Sequence, residues 1–239
     1  ESRLLGVERN IVDFLRKQQN NNNFSGTIPY DLEKQREEMK ELLNSMVAKM
    51  DTDENFVYFQ ATRGTSPVRG HVFPEGVKAN IWINIYPKKI LDLSKRIQLI
   101  TMEDTRFLHC NIKTLNLIPA VIASQRAKEA GCFEAVFHRS GRVTECAHSN
   151  VHILKNGEFI TAPLDNLILP GITRNSVIQI CKSWGLEVEE RKISVDELVE
   201  AARTGALEEC WGSGTAGTAD PWRTAGRIHH CAVYGYHYQ

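Results

Sequence analysis

The chain has 239 residues, 42% apolar and 24% charged, which excludes a disordered tail or a small disulfide scaffold and suits one large or two modest domains. Lys plus Arg equals Asp plus Glu, 29 against 29, so no basic surplus exists to release counterions from a nucleic-acid backbone, and nucleic acid is not expected as a partner. No apolar run approaches the roughly 18 residues that span a bilayer, so no membrane partner is expected either.

The opening Glu1-Ser2-Arg3-Leu4-Leu5 lacks an apolar signal-peptide core and an initiator Met, and reads as the interior of a longer product. Residues 3–17 read as a helix, with Leu4, Val7, Ile11 and Leu15 near a 3.6-residue period. The polar tract 18–23 reads as a surface loop. A charged helix is predicted from residue 31 to about 50, with Met39, Leu42, Leu43 and Met46 facing inward. Strands follow over 56–62 and 79–86, the second with Ile81, Ile83 and Ile85 on one face. The loop between them carries Arg69-Gly70-His71. Pro87-Lys88-Lys89 marks the expected boundary between a small domain, 1–87, and a larger one, 91–239.

The second part begins with a strand over 96–102 and a helix over about 115–130. Hairpins are predicted around Ser140-Gly141 and Asn156-Gly157, the latter pair a strong type I′ turn signal. Gly171-Ile172-Thr173 leads into a helix that ends near Gly185, suited to a left-handed C-terminal position. A strand over 186–193 and a capping box at Ser194-Val195-Asp196-Glu197 follow. Strands and helices intermix without strict alternation, which indicates an α+β or mixed α/β fold. The six cysteines are scattered, with no CxxC and no zinc-ligand spacing, so no metal is expected and reduced thiols in the cytoplasm are the plain reading.

Four places carry chemistry. Lys113 stands among apolar residues just before a predicted helix start. Desolvation and the positive end of a helix would both lower its pKa from about 10.4 and free a nucleophilic amine; a snorkelling lysine fits the same pattern. Glu145 ends an alternating strand, placed either to hold a protonated heterocycle or simply to meet solvent. Gly171-Ile172-Thr173 and Gly212-Ser213-Gly214-Thr215 offer backbone N–H groups and hydroxyls to a phosphate, though neither has the lysine of a P-loop. Arg69 and His71 could grip a carboxylate or belong to a solvated loop.

Together the ordered segments Tyr58-Phe59-Gln60-Ala61-Thr62-Arg63-Gly64, Arg69-Gly70-His71, Cys110-Asn111-Ile112-Lys113-Thr114-Leu115-Asn116-Leu117, Phe133-Glu134-Ala135-Val136, Val143-Thr144-Glu145, Ser149-Asn150-Val151 and Leu169-Pro170-Gly171-Ile172-Thr173-Arg174 resemble the class IV, fold type IV pyridoxal-phosphate aminotransferases. The likeness is greatest to the D-amino-acid enzymes and extends over about residues 1–218. It implies a two-domain fold with a small α/β domain truncated at its N-terminus and a large cofactor-binding domain. It also implies pyridoxal 5′-phosphate held covalently by Lys113, the Schiff-base lysine and proton shuttle. Glu145 would pair with the pyridine nitrogen and Leu169 would pack on the ring face. Arg3, Ile172, Thr173 and Thr215 would bind the phosphate. Arg69 and His71 would bind the substrate α-carboxylate across a homodimer.

The implied activity is transamination between D-amino acids, such as D-alanine, and 2-oxo acids. A branched-chain aminotransferase or aminodeoxychorismate lyase of the same fold, and a non-catalytic remnant, are the alternatives. The family's first small-domain strands have no counterpart before Glu1, and residues 220–239 do not read as its closing strand and helix.

Overall fold

Short apolar runs separated by glycine turns become ten strands among the residues that the computed structural model describes, 32–62, 64–72, 75–89, 97–214 and 232–235. The predicted helix over 3–17 and loop over 18–23 lie outside them. The chain divides into two units between Ile90 and Leu91.

The first unit holds helix α1 (Leu32–Val47) and an antiparallel pair, β1 (Asn55–Ala61) and β2 (Ile81–Pro87), in register from Asn55 opposite Pro87 to Ala61 opposite Ile81. Leu43 is buried as expected, but Leu42 is 43% exposed and does not face inward. Ile83 and Ile85 are half-buried while Ile81, on the same face, is exposed. A two-stranded sheet covers little of its own apolar surface, and Trp82 and Tyr86 stay exposed with Ile81.

The second unit stacks two four-stranded sheets. One contains β3 (Gln98–Glu103), β4 (Glu134–Arg139), β5 (Arg142–Cys146) and, at its edge, β10 (Ala232–Gly235), in the order β10-β3-β4-β5. The other runs β8-β7-β6-β9, from β6 (Asn150–Lys155), β7 (Glu158–Thr161), β8 (Glu187–Glu190) and β9 (Leu207–Ser213). Helix α2 (Ile118–Glu129) covers the outer face of the first sheet through Ala120, Ala123 and Ala127 against Ile100, Ala135 and Phe137. Helix α3 (Ile172–Ser183) covers the second through Val177, Ile178 and Cys181 against Phe159. Between the sheets, Leu99, Val136 and Val143 meet Val151, Ile153 and Ile160, closed on one side by Leu198 and Ala201 of α4 (Val195–Thr204). Neighbouring residues of β4 thus point into two different cores, and both faces of the strand are apolar.

Local chemistry sets the connections. Ser140 and Gly141 take φ of +50° and +78°, and Asn156 and Gly157 take +51° and +78°, the two left-handed centres of a type I′ hairpin. At the end of α3 the N–H groups of Gly185 and Leu186 donate to the carbonyls of Lys182 and Cys181, a Schellman close. Helix α2 begins at Ile118 rather than 115, with Pro119 in its first turn, where a proline fits. The strand over 186–193 is shorter than expected. The tail supplies a strand after all: β10 runs parallel to β3, a pairing with a distant partner.

Between the register pairs Val136–Cys146 and His138–Val143, β5 carries one residue more than β4. This bulge falls at Thr144 and Glu145 and re-aims their side chains.

Candidate active site

Glu145 is only 4% exposed, which removes the reading of a solvated strand end. Its Oε1 accepts from Nη1 of Arg106 at 2.6 Å. Its Oε2 accepts from Nδ2 of Asn150 at 3.0 Å and from the backbone N–H of Leu169 at 3.1 Å. Burial pushes the carboxyl up to about 7, against the opposing pull of Arg106 and the Leu169 N–H. Arg106 compensates only in part because its charge is shared.

The other claimant is Asp104, whose side chain is fully enclosed. Arg106 donates from Nε to Oδ1 and from Nη2 to Oδ2, both at 2.9 Å, and its backbone N–H also reaches Oδ1. Thr144 donates its hydroxyl to Oδ2, and Arg139 lies 3.5 Å from Oδ1. Burial works against the charge of Asp104, but the hydrogen bonds and charge of Arg106, then Arg139, hold it below the ordinary carboxylate range. The guanidinium rests over the Phe137 ring, 4.8 Å from its centroid.

The loop after β7 joins this group to α3. Arg106 donates to the carbonyl of Leu167 and Asn150 to that of Leu169, which is half-buried. Gly171 precedes α3 with no side chain capping the helix. The half-buried Ile172 and Thr173 therefore stand at a bare helix N-terminus, where orphan N–H groups and the helix dipole favour an anion. In the second candidate loop, Ser213 is buried and bonded to His152 Nε2 at 2.6 Å.

Lys113 departs from expectation. It is exposed, lies in irregular backbone ahead of α2, and is flanked by exposed Ile112 and Leu115 rather than by packed apolar neighbours. Its segment is nonetheless fastened to the same loop, because the N–H of Cys110 donates to the carbonyl of Asn166 and the Asn166 amide donates to that of Leu108. Arg69 and His71 are exposed in the first unit, between β1 and β2. Arg3 and Thr215 lie outside the described residues.

The structure therefore brings Glu145, Leu169, Ile172 and Thr173 to one place. Sequence reasoning missed Arg106 and Asp104 entirely, and gave Asn150 no role. An Asp-x-Arg directly after a predicted strand was the available signal, since charge at a sheet margin is retained inside a fold only when paired.

The family model for class IV amino-transferases matches residues 27–217. The chain belongs to that family. Among curated relatives of this class IV chain, D-alanine aminotransferase of Listeria monocytogenes is 39% identical over 179 residues, covering 73% of the chain and 60% of the relative. D-alanine aminotransferase of Staphylococcus epidermidis is 35% identical, covering 84% and 70%. The chain thus spans about three fifths of the length of the first. Among solved structures, the branched-chain aminotransferase of Thermoproteus uzoniensis with norvaline aligns with a TM-score of 0.68 at 22% identity, over 88% of this chain and 68% of that one. An aminotransferase from Brucella abortus bound to the cofactor PLP aligns at 0.63 and 20%, over 77% and 65%. These two show that the class IV chain has the fold of such enzymes, as expected from the resemblance.

Proposed function

We propose that this class IV chain acts as a pyridoxal-5′-phosphate-dependent aminotransferase moving amino groups between D-amino acids, D-alanine among them, and 2-oxo acids. The observation that carries the reading is its 35–39% identity to D-alanine aminotransferases, against 22% or less to the two structural neighbours above.

The site fits the cofactor. A cationic ring nitrogen needs an ionisable carboxylate with an acceptor to spare. Oε2 of Glu145 already takes two donors and Oε1 one, so Oε1 retains a lone pair. A phosphate needs a bare helix end, which Gly171 provides. Pyridoxal phosphate supplies an aldehyde and an electron-withdrawing ring. On this reading Lys113 Nζ holds the aldehyde and carries the proton to and from the substrate α-carbon. Glu145 pairs with the ring nitrogen and Leu169 covers a ring face. Ile172 and Thr173, with Arg3 and Thr215, bind the phosphate. Arg69 and His71 bind the substrate carboxylate. The unit from residue 91 serves as the cofactor domain, and residues up to 87 as a small domain.

We further propose a homodimer, with Arg69 and His71 contributed across it. Leu115, Ile118, Val121 and Ile122 leave an apolar surface 49–74% exposed, the kind of patch that marks an interface. A reducing, cytoplasmic setting suits the five buried cysteines among the described residues, which form no disulfide with one another; no described helix is long and apolar enough to cross a membrane.

An absorbance spectrum of the purified chain titrated with pyridoxal phosphate, then with D-alanine and L-alanine, tests the reading. A visible band that D-alanine bleaches and L-alanine leaves intact is expected. Faster turnover of L-leucine would instead make it a branched-chain enzyme. The exposure of Lys113 favours a second reading, a chain that binds cofactor without turnover, which predicts a band that no amino acid alters.

A further inference from the structure

Arg106 has no part in the roles above, yet it is the most heavily bonded cation of the site. Its guanidinium spends Nε and Nη2 on Asp104, Nη2 also on the Leu167 carbonyl, and Nη1 on Glu145. Its main chain is held as well: its N–H reaches Asp104 and its carbonyl accepts from Arg139. A side chain fixed at so many points cannot follow its partner, so the partner must follow it. Glu145 has little else to keep it charged. Its remaining donors, the Asn150 amide and the Leu169 N–H, are neutral, and the other ionisable groups around it are Asp104, Cys110 and, beyond Asp104, Arg139. A buried carboxylate in those surroundings holds its proton more tightly still when no cation stands at hydrogen-bond distance. A protonated Glu145 would have lost the charge that favours a cationic ring nitrogen.

We propose that Arg106, braced by Asp104, is a positioning residue that shifts Glu145 toward its ionised form and fixes Oε1 as the oxygen offered to the cofactor ring. This rests on the proposed cofactor reading for its second half only. Its first half, control of Glu145, belongs to the chain without cofactor. The bracing explains why an arginine is used. A guanidinium can make a two-point contact with Asp104 and still present Nη1 to Glu145, whereas an ammonium has one nitrogen for both.

The test uses the full chain with and without pyridoxal phosphate, as wild type, Arg106→Gln, Arg106→Lys and Glu145→Gln. Without cofactor, carbon-13 detection of the Glu145 carboxyl should show its midpoint moved upward in Arg106→Gln by one pH unit or more, with Arg106→Lys between. With cofactor labelled at the ring nitrogen, nitrogen-15 shifts should show that nitrogen protonated in the wild type and largely unprotonated in Arg106→Gln, with cofactor affinity down about tenfold to a hundredfold and partial recovery in Arg106→Lys. An unmoved midpoint in Arg106→Gln overturns the proposal whatever the cofactor does. A ring nitrogen unchanged by Glu145→Gln, with the midpoint still moved by Arg106→Gln, refutes the cofactor role of Glu145 while supporting the control exerted by Arg106. Should Arg106→Gln fail to fold, Arg106→Lys, which keeps a cation but cannot hold Asp104 and Glu145 together, must still move the midpoint upward or the proposal fails.

Discussion

The side-chain amide oxygen of Asn150 lies against the α-carbon of Gly171, where a Cβ would overlap it. Asn150 is also the residue whose Nδ2 bridges Glu145 and the Leu169 carbonyl. One glycine therefore sets the distance between the buried carboxylate and the bare end of α3.

Replacing that glycine should disturb both ends. In Gly171→Ala the methyl group must displace Asn150, costing about 1–3 kcal/mol, the usual range for overpacking. Cofactor affinity should fall in parallel, because carboxylate and helix end move apart. Thermal unfolding and a cofactor titration would check this; unchanged values in both would mean that the contact relaxes freely.

The pH dependence of stability should carry the signature of Glu145. Its folded carboxyl is raised to about 7 from an ordinary value of 4.5, so between those values the folded state holds a proton that the unfolded state has released. Stability from this group is therefore full below about pH 4.5 and declines as pH rises to about 7, by roughly 2–3 kcal/mol. Urea unfolding of the cofactor-free chain from pH 4 to 8 should show this decline, and Glu145→Gln should lack it.

Glu197 should behave in the opposite sense. Hydrogen bonds from Arg191 at 2.7 and 3.0 Å, then from Lys155 at 2.8 Å, hold its carboxyl at about 2. Its contribution is present above the ordinary value of 4.5 and disappears as pH falls toward 2. At neutral pH, after allowance for solvent screening, Glu197→Gln should cost roughly 1–2 kcal/mol. The difference from wild type should close in acid. A difference of equal size at pH 3 and pH 7 would mean that the loss is not electrostatic.

Ser194 caps α4 by accepting the Glu197 N–H at 2.9 Å. Only this half of the expected capping box forms between the pair, since the Glu197 carboxylate is engaged by Arg191 and Lys155. Ser194→Ala should cost about 1 kcal/mol, read as a lowered midpoint in urea at unchanged slope, while Ser194→Gly should cost only a few tenths.

What the sequence revealed was what neighbouring residues decide among themselves. The Asn156-Gly157 turn, the glycine that ends α3 and the Ser194 cap each depend on a few consecutive positions, and each is where the pattern placed it. The motif resemblance singled out Glu145, Leu169, Ile172 and Thr173 because they stand in ordered, recognisable segments, and the fold brings those segments near one another. Arg106 and Asp104 escaped because their meaning depends on Glu145, far along the chain and reached only through a strand bulge. Strand β10 escaped for a similar reason: its parallel partner, β3, is remote, and nothing local in the tail announces the pairing. Of the two readings of Lys113, the desolvated one failed because apolar neighbours in sequence are not neighbours in a core; Leu115, Leu117 and Ile118 are themselves half to three-quarters exposed.

That exposed amine is also where the proposed activity stands or falls. Incubation of the chain with pyridoxal phosphate, reduction with borohydride and peptide mass spectrometry would locate any covalent attachment. A single pyridoxyl group on Lys113, absent from Lys113→Ala, is the expected result. Modification spread over other surface lysines, or none at all, would contradict the assignment of this lysine and the transamination built on it.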